Sequence, residues 1–218
     1  MDFSGFGHLF ATQLSCDSRV AFLLPVSRKY WQNGGLYSVW KKIFCLLSRR
    51  AVVYGTRRSV RAYKSEPVLS KALDVVLEAG TYAPTGGGRQ SPTIIAITDP
   101  KYRREIAKLN AEVMGSNTDP YYGAPVVILV LADGSASTFV EDGSCVLENM
   151  MLATHALGLG TVWVHREREI FDSESGKALL REWKLPETLR GVGAIVLGYP
   201  VQEAGQPAAR KQNYIVRI

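Results

Sequence analysis

Cysteine and histidine are scarce in this chain, with three of each among 218 residues. Cys16, Cys45 and Cys145 form no CxxC pair, which excludes a zinc or iron–sulfur site built on paired cysteines. An odd number of widely spaced cysteines does not suggest a secreted disulfide scaffold either, so a reducing cytoplasm is the expected location. His8, His155 and His165 make neither an HExxH motif nor an i,i+4 pair, and no protein metal site is expected. Long apolar runs are missing too. The longest, Ala124 to Ala132, is nine residues, about half of what a membrane-spanning helix needs. No membrane span is expected.

Acidic residues are scarce in one part of the chain only. Residues 1–53 hold seven Lys or Arg and two Asp, whereas residues 54–218 hold nineteen Lys or Arg and eighteen Asp or Glu. The formal net charge of +6 therefore sits almost wholly in the first quarter. The remainder is nearly neutral and has no basic face able to follow a phosphate backbone, which argues against a nucleic-acid partner. Residues 1–53 also lack a sustained period of 3.6 or 2. The apolar stretch Val20 to Val26 has no basic residue before Arg19 and no small-residue cleavage site after it, so a signal peptide is disfavoured. Residues 1–53 read as an N-terminal extension outside the folded domain, such as a misplaced start.

From residue 54 the pattern is regular. Leu69, Ala72, Leu73, Val76 and Leu77 share one helical face, with Ser70 near the start and Gly80 as the stop. Thr93 to Thr98 reads as a buried strand, and Asp99-Pro100 as the N-cap and first turn of a helix carrying Tyr102, Ile106, Leu109 and Val113. Val126 to Leu131 is the strongest strand signal, apolar on both faces. Val146, Met150, Ala153 and Leu157 mark a long buried helix ended by Gly158. Thr161 to Val164 is a short strand, Gly176 to Trp183 a helix, and Val192 to Leu197 a last strand. Taken alone, this alternation suggests a doubly wound parallel sheet.

The common catalytic motifs fail. Gly158-Leu-Gly160 lacks the third glycine of a dinucleotide fingerprint and precedes a strand, and the glycines at 86–88 have no following GK[ST]. No serine sits in a nucleophile-elbow context. What stands out is Arg57-Arg-Ser-Val-Arg61. Guanidiniums on both sides of a hydroxyl can hold a phosphate dianion from several directions, and planar bidentate donors suit that better than lysines. Taken alone, such a run reads equally as a solvated charge cluster. Ala83-Pro-Thr-Gly-Gly-Gly-Arg-Gln90 offers three glycines that let backbone approach a flat ligand.

In this order the segments resemble the nitroreductase family of FMN-dependent oxidoreductases, over about residues 54–218. The resemblance rests on Arg57 to Arg61, on Ala83-Pro-Thr85 with Gln90, and on Tyr122-Gly-Ala-Pro125. It continues in Asn149 to Ala153 with Gly158-Leu-Gly160, and in Gly198-Tyr-Pro200 followed by Arg210. It implies a nitroreductase-like α+β fold, a mixed and largely antiparallel sheet between helices, in place of the parallel one. It further implies that Arg57, Arg58, Ser59 and Arg61 bind the FMN phosphate and ribityl chain, with Arg210 closing on the phosphate. Trp163, Val164 and His165 would lie along the isoalloxazine. Pro84, Thr85, Gly86, Gly88 and Gln90 would reach the flavin of the other subunit, making a homodimer with FMN at its interface.

Gly88 stands where the family has an asparagine, and Ala208 where it often has a lysine. The function implied is FMN-dependent, ping-pong transfer from NAD(P)H to a small-molecule acceptor such as a nitroaromatic or quinone. The flavin carries the redox chemistry, so no protein residue is assigned a catalytic acid or base. Two alternatives stay open: a flavin-fragmenting or dehalogenating branch of the same family, and a non-catalytic flavin-binding protein.

Overall fold

The computed structural model describes residues 53–202 and 205–218. The reading of residues 1–53 as an extension lies outside the described residues, but for Val53. The most apolar segment organises the rest. Val126–Asp133 (β2) is buried along seven of its eight residues. It pairs antiparallel with Pro92–Ile97 (β1) on one side and with Leu189–Gly198 (β4) on the other. Gly160–Val164 (β3) then pairs antiparallel with β4. The sheet runs β1-β2-β4-β3. No pair of these strands is parallel, so the doubly wound alternative is wrong and the largely antiparallel sheet is right. Periodicity reports which residues are buried but not which way a strand runs. Among the described residues, the parallel pairing is an isolated bridge between Ser59 and Thr161.

Alternation along β2 divides the core into two layers, as the period of 2 requires. Val127, Leu129 and Leu131 face a cluster with Ile106 of Pro100–Met114 (α2), Ile170 of Glu167–Asp172 (α4) and Leu179 of Glu174–Glu182 (α5). Val126, Ile128 and Val130 face Val76 of Ser70–Thr81 (α1) and Val146, Leu147 and Met150 of Phe139–Ala156 (α3). The sheet is thus covered by helices on both faces. No helix among the described residues is long and apolar enough to cross a membrane.

Local chemistry explains most boundaries. Asp99 caps α2 by accepting from the Lys101 amide at 2.7 Å, and Pro100 opens the helix. Ser173 caps α5 by accepting from the Gly176 amide at 3.2 Å, so this helix starts before Gly176. Gly80, expected to stop α1, lies inside it. A Cβ there would fall 2.8 Å from Ile94 Cδ1 and 2.9 Å from Met150 Cγ. That glycine is a close-packing site, and its neighbours, not its flexibility, decide the residue.

Strand β4 carries the two features that shape the site. Its register against β2 shifts between Val130 and Leu131, leaving Val192 as an extra residue between Gly191 and Gly193. A Cβ on Gly193 would meet Trp163 Nε1 at 2.6 Å, and one on Gly191 would meet the backbone carbonyl of Glu167 at 2.2 Å. The two glycines make room for Trp163 and for the turn after β3. Backbone cannot swing aside as a side chain can. Gly191→Ala should therefore cost about 1–3 kcal/mol through overpacking, a fall of roughly 2–12 °C in melting temperature for a domain of this size. Thermal unfolding followed by circular dichroism checks it.

Candidate functional site

Beyond a helical turn at residues 53–56 the chain becomes extended. The Val60 amide donates to the Thr161 carbonyl at 3.0 Å, Lys64 N–H to Tyr199 at 2.8 Å, and Val201 N–H to Ala62 at 3.1 Å. The arginine segment is thereby laid beside the start of β3 and the end of β4. Arg58, Ser59 and Arg61, together with Gln202, Gly205 and Gln206, line a cleft of about 420 Å³. Arg58 also lines a second cavity of about 280 Å³ with His155, Gly158, Gly160 and Thr161.

Positive charge here has no local counterpart. Among the described residues, no ion pair involves Arg57, Arg58 or Arg61. Arg58 donates from Nη1 to the Arg57 carbonyl at 2.6 Å, but its Nε is buried without a partner, as is Thr161 Oγ1. Arg61 lies 5.9 Å from the Tyr122 ring centroid. His155 registers the local field. Burial, and then the charges of Arg57 and Arg58, hold its pKa below the ordinary imidazole value. Buried donors left unpaired cost free energy. An anion bearing several acceptor oxygens would satisfy both the charge and the donors.

The 84–90 loop is built separately. Gly86–Gly88 forms one 3₁₀ turn, with Gly87 and Gly88 at φ of 61° and 67° and Gln90 at 52°. The buried Asp142 of α3 holds it by accepting from the Gly86 amide at 2.8 Å and the Ser91 hydroxyl at 2.9 Å. The Gly86 amide, followed by the hydroxyls, keeps the Asp142 pKa below the usual carboxylate range. The Thr85 hydroxyl accepts from the Gln90 amide at 3.0 Å. Pro84, Gly88 and Gln90 are exposed. The loop lines neither cavity beside Arg58. Within one chain, the structure does not bring it to the arginine cleft.

At the end of β3 the three expected residues point in different directions. Val164 is buried in the core layer of α2, α4 and α5. Trp163 packs from the opposite layer and donates from Nε1 to His165 Nδ1 at 3.3 Å. His165 is exposed, and the next residue, Arg166, has φ 89°, strained for a side chain of that size. A buried polar cluster lies beneath. Asn110 donates to the His165 carbonyl at 2.8 Å and accepts from Arg166 Nε at 2.9 Å. Tyr121 donates to Glu167 Oε1 at 3.0 Å. Glu167 is fully buried, and burial pushes its carboxyl up to about 7. Arg210 stands apart, donating from Nε and Nη2 to the Ala208 carbonyl and lining neither cavity.

Asp142, Asn110 and Glu167 were not among the expected site residues, though each left a trace. Asp142 lies four residues before Val146, Asn110 four after Ile106, and Glu167 three and four before Ile170 and Phe171. Each is a polar residue on an apolar stripe.

With this geometry in view, comparison with known proteins is decisive on family. A model of the Nitroreductase family matches residues 54–199, and the chain belongs to that family. A "Putative NADH dehydrogenase/NAD(P)H nitroreductase" of Archaeoglobus fulgidus is 30% identical over 154 residues, 68% of this chain and 83% of the relative. An "FMN reductase [NAD(P)H]" of Bacillus subtilis is 26% identical over 181 residues, covering 72% and 68%. A nitroreductase with bound FMN from Bacteroides fragilis superposes with a TM-score of 0.71 at 25% identity, over 78% of this chain and 98% of that one.

The state of Glu167 has a testable consequence. The folded protein keeps this proton up to about pH 7, whereas the unfolded chain releases it near the ordinary 4.5. The contribution of this one group to stability is therefore fully present below about pH 4.5, falls as the pH rises to about 7, and is lost beyond. The total loss is on the order of 3 kcal/mol. Glu167→Gln removes the ionisation, so its melting temperature relative to the native protein should rise by several degrees between pH 4.5 and 7.5. Parallel melts across that range measure the difference.

Proposed function

We propose that this chain is an FMN-dependent oxidoreductase that uses NAD(P)H to reduce electron-poor acceptors such as nitroaromatics or quinones. The observation that carries the reading is the unpaired arginine cluster beside β3, with buried Arg58 Nε and Thr161 Oγ1 lacking partners, in a chain of the nitroreductase family. Those residues fit a phosphate on a polyhydroxyl chain. Arg57, Arg58 and Arg61 supply charge and Ser59 a hydroxyl, and Arg210 would leave the Ala208 carbonyl to close on the same group. When bound, FMN supplies two-electron chemistry in alternating half-reactions with nicotinamide and acceptor, a ping-pong cycle. The protein's part is to hold and orient. On this reading Trp163 and the exposed His165 would form the wall at the end of β3, and Val164 would anchor the strand between them in the core. A cytoplasmic location belongs to the same reading.

The 84–90 loop supports a homodimer. It is exposed, shaped by its own chain, and lines neither cavity beside Arg58, so its contact with flavin belongs to the partner subunit's site. Pro84, Thr85, Gly86 and Gln90 would meet it there, with the Gln90 side-chain amide as a donor, since the Gly86 and Gln90 backbone amides are engaged by Asp142 and Thr85. Gly88 has open space where a Cβ would stand. If the loop completes the site, holoprotein is dimeric at working concentration and FMN raises its melting temperature. Size-exclusion chromatography with light scattering tests this, and a monomer retaining one FMN per chain would refute it.

The cofactor itself is tested by discrimination. FMN should bind far more tightly than riboflavin, which lacks the phosphate. Hydrogen bonds to charged groups contribute about 1.5–3 kcal/mol each, so Arg57→Ala should weaken FMN roughly ten- to a hundredfold by that estimate and leave riboflavin nearly unaffected. Equal affinities for the two flavins in the native protein would end the assignment. Anaerobic addition of NADPH should bleach the bound flavin's visible absorbance. A non-catalytic flavin carrier would stay yellow.

A further inference from the structure

The polar cluster under the end of β3 does more than fill the core. Its hydrogen bonds have assignable directions. Arg166 Nε donates to Asn110 Oδ1, and Asn110 Nδ2 donates to the His165 carbonyl. Asn110 Nδ2 also lies 3.2 Å from both the Tyr121 hydroxyl and Glu167 Oε1, to which its other hydrogen is directed. The Tyr121 hydroxyl donates to the same Oε1. Asn110 is therefore held from one side by Glu167 and Tyr121, and from the other it grips both residues of the turn. The five residues come from three places in the sequence: α2, the loop before β2, and the consecutive residues 165–167 at the turn into α4.

The turn needs such a grip. Arg166 stands at φ 89°, where a residue with a side chain is strained and persists only when its surroundings over-determine it. Tyr121 is fixed in turn by Asp119, which accepts from the Tyr121 amide at 3.0 Å, from the Gly123 amide at 2.8 Å, and from Arg103. On the far side the Gly191 backbone seats the Glu167 carbonyl. The cluster converges on the turn whose residue, Arg166, has the largest positive φ of the non-glycine residues described. This turn directly follows the strand residues that face the cofactor.

We propose that Asn110, oriented by Glu167 and Tyr121, is a positioning residue for the flavin: it fixes His165 and Arg166 in the left-handed turn after β3 and so sets the surface this turn presents to the isoalloxazine. The proposal rests on the FMN reading above.

Asn110→Leu, of similar volume, removes both bonds to the turn, and Tyr121→Phe removes one supporting hydroxyl without changing the packing. Amide hydrogen exchange of the peptide spanning residues 163–168, in full-length protein with and without FMN, reads the turn. Visible circular dichroism of bound FMN reads the flavin's surroundings. Losing one or two hydrogen bonds should speed exchange about tenfold in Asn110→Leu and about threefold in Tyr121→Phe, with an altered flavin dichroism in both. Adding Arg166→Gly to Asn110→Leu should slow exchange again, because glycine adopts a positive φ without strain. General loosening of the core would not be relieved by deleting a further side chain.

Unchanged exchange and dichroism in both single variants would overturn the proposal, as would failure of Arg166→Gly to slow exchange. Faster exchange with unaltered flavin dichroism would overturn the positioning role alone. Failure of the native protein to bind FMN would instead overturn the functional reading.

Discussion

The pairing of β2 with β4 is the constraint on which the rest depends. Both strands are buried on both faces, so neither can shift by one residue without exchanging its two sets of side chains between layers. The extra residue at Val192 is accommodated at one fixed place, opposite Val130 and Leu131. That place puts Gly191 under the turn at Glu167 and Gly193 under Trp163. β3 joins the sheet through β4, and the arginine segment joins through β3 and the last residues of β4. The candidate site is thus hung from the strongest hydrophobic pairing in the molecule. Its precision comes from a strand that carries no functional side chain of its own.

The site combines two electrostatic situations that rarely coexist at such short range. On the arginine segment, positive charge is gathered without carboxylates to balance it, and two buried donor-bearing atoms have no partner. Under the turn at 165–167, a carboxyl is taken out of water without a cation bonded to it, and burial holds its proton up to about pH 7. Paired directly, the two would cancel. Left unpaired with each other, they give one surface with excess positive charge and one turn held by directional hydrogen bonds to Asn110. The Asp119 loop borders both, with Tyr121 directed into the buried cluster and Tyr122 beside the Arg61 guanidinium.

Much of this was legible in the residue pattern, and the exceptions have physical reasons. β2 was evident because six consecutive aliphatic residues, Val126 to Leu131, four of them β-branched, admit few other readings. Asp99-Pro100 announced α2 through the chemistry of a cap. Gly80 misled because glycine serves two purposes, breaking a helix and admitting close neighbours, and only the positions of Ile94 and Met150 decide between them. Strand direction was invisible to periodicity and came from family resemblance. The arginine segment bridges the start of β3 at Thr161, and Trp163 to His165 lie at the end of the same strand, whereas Arg210 and the 84–90 loop line neither cavity beside Arg58. Asp142, Asn110 and Glu167 escaped because their importance lies in what they hold. A sequence displays a residue's type, but its hydrogen-bond partner fifty residues away appears only once the chain is folded.

The loop at residues 84–90 carries one more implication. Its left-handed glycines, the Thr85 bond to Gln90 and the buried Asp142 give it a fixed form from contacts within its own chain. The conformational entropy of ordering it is lost when the chain folds, not when another surface arrives. In the homodimer proposed above, association through this loop would proceed without the ordering penalty that a flexible segment imposes. Recognition at this edge becomes a matter of matching a rigid shape. Changes that soften the loop, even far from its tip at Asp142, would slow or weaken assembly while leaving every contacting residue in place.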